Sequence, residues 1–132
     1  MSVSAEIKVP ISPGELVDKI TILEIKSARI TDAAKLANVR TELTLLQDTW
    51  RSSAYASHDI AKQWAALRAI NEKLWDVEDL IRDKERARSF DQEFIELARA
   101  VYVTNDERAA VKRDINTRLG SKIVEEKSYA KY

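Results

Sequence analysis

The chain contains no cysteine, so disulfides, thiolate nucleophiles and cysteine-ligated zinc are excluded. A single histidine, His58, cannot supply the usual multi-histidine metal set, and the residues imply neither a metal site nor a cofactor. Net charge is also lacking: 22 Lys and Arg balance 22 Asp and Glu, leaving no field to draw in nucleic acid or an anionic membrane surface. No apolar run approaches the roughly 18 residues that a membrane span requires, and the N-terminus lacks the basic start and apolar block of a signal peptide. These absences point to a cytoplasmic protein. Glycine and proline occur only at Pro10, Pro13, Gly14 and Gly120, so the interior of the chain is almost free of helix breakers.

What remains is a composition typical of a helical domain, with 45% hydrophobic and 33% charged residues. The 132 residues are expected to form one domain, an all-α antiparallel bundle of four to five helices arranged as hairpins, with a short N-terminal β-strand. The strand is expected over residues 2–9, where Val3, Ala5, Ile7 and Val9 alternate with polar residues. Its partner would be the segment around Lys122 to Glu126 or, less readily, the same strand of a second copy.

Helices are expected at 13–29, 33–51, 58–87 and 91–119, with a polar tail at 121–132. The first opens on a capping box, with Ser12 as the cap, Pro13 at the first helical position and Glu15 reaching back. Leu16, Ile20, Leu23 and Ile30 form one stripe on it. Ile22 and Ile25 point away from that stripe, which suggests partners on two sides and makes these two isoleucines interface candidates. In the second helix Leu36, Val39, Leu43, Leu46 and Trp50 make a narrow seam. Thr104-Asn-Asp-Glu107 reads as another capping box inside the last helix, so a break near Val103 is expected. Gly120 supplies the left-handed residue that ends it.

Polar residues inside apolar arcs are the candidates for chemistry, because a buried polar group must be satisfied. Glu24 on the first helix is expected to pair with Arg40 on the second. Asn71 and Glu78 sit in the middle of the stripe of the third helix. If the last helix is continuous, its stripe carries Asn105, Arg108 and Lys112, which could face Asn71 and Glu78 across a charged cavity. One reading is a structural network that sets register. The other is a pocket in which Arg108 and Lys112 bind a small anion while Asn71, Asn105 and Glu78 orient it. His58 reads as a solvent-exposed residue, Trp50 and Trp64 as core, and no residue is assigned a catalytic role.

The block Ile11-Ser-Pro-Gly-Glu-Leu-Val-Asp-Lys-Ile-Thr-Ile-Leu-Glu-Ile-Lys26 closely resembles the opening of a small bacterial and phage family of unknown function. The likeness continues at Lys35 to Arg40, Asn71 to Trp75, Phe94 to Arg99, Thr104 to Arg108 and Gly120-Ser121. That resemblance implies no activity, and hints only at a setting in surface-carbohydrate synthesis. Leu67 to Ile81 also looks like the first helix of the all-helical chorismate mutases, a match of one amphipathic helix that transfers no catalytic residue. The expected function is therefore a non-catalytic binding or assembly module, acting as a homo-oligomer or with a partner protein. The rival is an anionic-metabolite site or a mutase-like enzyme.

Overall fold

The computed structural model describes residues 5–132, which form four helices: α1 (Pro13–Arg29), α2 (Ala33–Arg51), α3 (Ala61–Arg86) and α4 (Gln92–Arg118). The fold is all-α. No strand forms among the described residues. Residues 5–12 are irregular, Ile7 and Val9 are exposed, and the start of the expected strand, residues 1–4, lies outside the described residues.

Three of the helices start where a short polar side chain can take the first free amide. Ser12 accepts from the Glu15 N–H at 3.1 Å, Asp32 from Lys35 at 2.9 Å and Asp91 from Phe94 at 3.0 Å. The α3 start differs from the expected His58. Tyr55 folds back to stack on Trp50, the chain turns through residues 52–58, and the helix begins at Ala61 without a side-chain cap at Ile60. Helix α4 runs unbroken through Thr104, because the packing of one face against α1 and α3 outweighs a local cap signal. It ends at Gly120, whose φ of 66° lets the Ser121 N–H return to the Asn116 carbonyl at 2.9 Å.

Helix α1 packs against all three others, and α3 and α4 form a hairpin. This explains the apolar residues on several sides of α1: Val17 and Ile20 are fully buried, and Leu23 and Ile25 nearly so. Ile25, expected at an interface between chains, is 2% exposed inside its own fold, and Ile22 is half-buried. The core proper joins Val17 to Ile60, Leu67, Ile115 and Leu119, with Trp50, Tyr55, Trp64 and Val111 packed against it. Trp50 and Trp64 meet edge to face at 5.5 Å.

The hairpin outruns the rest of the fold. At 1.5 Å per residue, the 26 residues of α3 span about 39 Å and the 17 of α1 only about 25 Å. Arg29, the last residue of α1, sits over the Trp75 ring and pairs with Asp76, so the later part of α3 lies past the end of α1. From residue 78 to residue 103 no residue is buried, although that stretch includes Leu80, Ile81, Phe90, Phe94, Ile95, Leu97 and Val101. We call it the distal arm.

Candidate functional site

The most deeply buried charge is Asp18, 1% exposed, on α1. Its carboxylate faces α3 and α4, where three groups receive it. Arg108 grips both oxygens, Nε to Oδ1 at 2.9 Å and Nη2 to Oδ2, in the two-point geometry that matches guanidinium to carboxylate. Asn71 on α3 donates its Nδ2 to Asp18 Oδ1 at 2.9 Å and to Thr21 Oγ1 at 3.0 Å, and the Thr21 hydroxyl in turn donates to the Asp18 carbonyl at 2.8 Å. The third group, Lys112 Nζ, stands 4.0 Å from Asp18 Oδ2.

Lys112 is itself nearly buried and carries two closer carboxylates: Glu15 at 2.8 Å and Glu125 at 2.7 Å, the latter from the C-terminal tail. Glu15 therefore spends its side chain on α4, whereas the sequence suggested that it would close the capping box. One turn on, Asn116 Oδ1 accepts the Gly14 N–H at 2.8 Å. Gly14 has to be glycine for a steric reason. A Cβ there would lie 2.5 Å from the Lys112 carbonyl and 2.8 Å from Asn116 Oδ1, so α1 can approach α4 this closely only without a side chain.

The charges tune one another. Burial pushes the Asp18 carboxyl up, but the hydrogen bonds from Arg108 and Asn71 and the charges of Arg108 and Lys112 outweigh it, and its pKa falls below the ordinary value. The Arg108 pKa is raised by its hydrogen bond to Asp18 against the cost of burial. Burial lowers the Lys112 pKa, yet Glu125 and Glu15 more than compensate, and Lys112 stays an ammonium. Glu125 is held below its usual range by Lys112. Every charge in the cluster thus has its counter-charge within the chain. The Thr104 hydroxyl, fully buried on α4 one turn before Arg108, has no hydrogen-bond partner among the described residues.

Of the residues expected at a charged cavity, Asn71, Arg108 and Lys112 come together, and Asn105 lies beside Arg108 with its Oδ1 at 3.5 Å from Nη1. Glu78 does not join them. It sits past the end of α1 and pairs with Arg82 on the surface of the arm. The expected Glu24–Arg40 pair does not form: Arg40 is exposed, and Glu24 faces Arg68 of α3 at 3.6 Å, with Arg68 also held by Glu72 at 3.0 Å. His58 is exposed and sets its ring edge-on to Tyr55. Sequence reasoning does not single out Asp18, Thr21 or Glu125 as site residues, and it assigns Glu15 only to the capping box. The available signal was α1 itself: a helix apolar on several sides leaves its few polar residues little solvent to face.

Among the described residues no group of His, Asp and Glu could hold a metal ion, and no helix is long and apolar enough to cross a membrane. Fold and site together define a small all-α protein whose central helix is tied to a helical hairpin by a buried, mutually satisfied ion-pair network. The chain belongs to a family of unknown function, DUF6165, whose sequence model matches residues 7–132. No curated protein and no solved structure matches it significantly.

Proposed function

We propose that the protein is a non-catalytic assembly module that associates with a second copy through the distal arm. The observation that carries this reading is the run of 26 residues, 78 to 103, in which no residue is buried although the apolar pattern of both helices continues. Phe90, Leu80 and Ile95 are about half exposed. Two helices alone cannot enclose a core, and a two-fold copy of the hairpin would complete a four-helix layer.

The charge order along α3 favours a copy of the same chain as the occupant. Residues 72–79 carry four acidic groups and one basic, and residues 82–88 carry four basic and two acidic. Two α3 helices crossing antiparallel near Leu80 would set the basic end of each against the acidic stretch of the other. The surface-carbohydrate setting suggested by the family resemblance would make such a dimer an accessory subunit, which co-purification with those enzymes would test.

The closed network around Asp18 argues against the mutase-like alternative. A site that stabilises anionic charge needs cations pre-aimed at the substrate, and Arg108 and Lys112 are already engaged by Asp18, Glu15 and Glu125. Sedimentation equilibrium on the wild-type chain and on a Phe90→Glu, Ile95→Glu double variant tests the assembly reading. A wild-type dimer that becomes a folded monomer in the variant is expected. Unchanged mass in the variant would remove the arm from the account.

A further inference from the structure

The C-terminal tail has no regular secondary structure, yet it follows α4 back toward the arm after the turn at Gly120. Its fastenings to α4 are mostly polar. Glu125 reaches Lys112 at 2.7 Å, Glu126 reaches Arg113 at 2.8 Å, Lys127 and Tyr132 bond to Asp106, and Tyr132 sets its ring against Tyr102. Apart from Lys112, these groups are partly or fully solvated, and ion pairs of that kind are weak and screened by salt.

Lys112 differs from the others because its side chain is 9% exposed. Once Glu125 lifts away, an almost buried ammonium loses one of its two close carboxylates and a donor is left unsatisfied, which is costly inside a protein. Arg113 loses Glu126 and the Glu125 carbonyl at the same moment. Glu15 then remains on Lys112 at 2.8 Å, Asp18 stands 4.0 Å from Lys112 and is committed to Arg108, and Asp106 lines the same cavity from the previous turns of α4. A cavity of about 310 Å³ already lies between tail and helix, lined by Lys112, Arg113, Asn116 and Lys127 together with Asp106 and Glu125.

We propose that Glu125 is a built-in occupant of an anion site formed by Lys112 and Arg113, and that release of the tail opens this site to a small dianion bearing carboxylate or phosphate groups. The tail and the external anion compete for the same two cations. The two cations lie outside the distal arm, which the tail touches only through Tyr132 against Tyr102.

The test uses the 132-residue chain with succinate and inorganic phosphate as probes, each against sodium chloride of matched ionic strength. Calorimetry reads binding, and tryptic cleavage after Lys127 reads tail release. Neutralising the competitor in a Glu125→Gln, Glu126→Gln variant is expected to tighten probe binding at least tenfold. Arg113→Gln, a change at an exposed residue that spares the buried network, is expected to weaken it severalfold, and the probes are expected to speed cleavage more than chloride does. Preference for succinate or for phosphate identifies which group the site takes. Equal affinity in the wild-type and Glu125→Gln, Glu126→Gln chains, no binding in either, or chloride releasing the tail as well as the probes would each overturn the proposal.

Discussion

Replacing Asp18 with asparagine leaves the volume of the side chain nearly unchanged and removes its charge, so the response isolates the ion pair with Arg108. Breaking a buried pair by removing one partner typically costs about 3–5 kcal/mol, because the other charge stays behind uncompensated. Arg108 keeps 29% of its side chain exposed, so water can relieve part of that cost and the lower end, about 3 kcal/mol, applies. For a chain of 132 residues the unfolding entropy near 60 °C is about 0.28 kcal/mol/K, and 3 kcal/mol becomes a fall in Tm of about 10 °C. Thermal unfolding followed by circular dichroism reads it. An Asp18→Asn, Arg108→Met double variant, in which no charge is stranded, should recover much of the loss. A fall of less than about 2 °C in the single variant, which is well under 1 kcal/mol, would show that the network does not fasten α1 to the hairpin.

Gly14→Ala should destabilise by about 1–3 kcal/mol, despite the higher helix propensity of alanine, because the new Cβ meets the Lys112 carbonyl at 2.5 Å; denaturant unfolding measures the sign, and a gain in stability would contradict the close-approach argument. Thr104→Val should be neutral or stabilising by up to about 1 kcal/mol, since it removes a buried hydroxyl that has no partner among the described residues; a clear loss of stability would mean the hydroxyl is in use. The carboxyls of Asp18 and Glu125 titrate lower in the folded chain than in the unfolded one, so the stability they contribute is present at neutral pH and is lost as the pH falls from about 4 through their folded values. Melting curves from pH 6 down to pH 2 should show that loss, and it should be smaller in Asp18→Asn.

Much of the framework was legible in the chain because its signals are local. Ser12, Asp32 and Asp91 cap helices through bonds three residues long, and Gly120 ends the last one through a single backbone angle. Asn71, Arg108 and Lys112 stood out because each interrupts an apolar stripe. Asp18 did not, since a helix wheel shows which residues share a face and not how many faces will be covered. Glu78 occupies the right phase of α3 but lies past the point where α1 ends, and helix phase carries no information about where a neighbour stops. Glu24 was matched to the wrong helix for a related reason: α1 touches α2, α3 and α4, and projection alone could not choose between Arg40 and Arg68. Glu125 comes from a segment with no periodicity, so nothing in the pattern placed it over Lys112.

A distal arm that joins two copies of the chain doubles the mass of the particle in solution. Multi-angle light scattering during size-exclusion chromatography gives the molar mass without assuming a shape. Association through the arm gives a species of twice the 15.1 kDa chain mass that dissociates on dilution, and a constant 15.1 kDa at every concentration would contradict it.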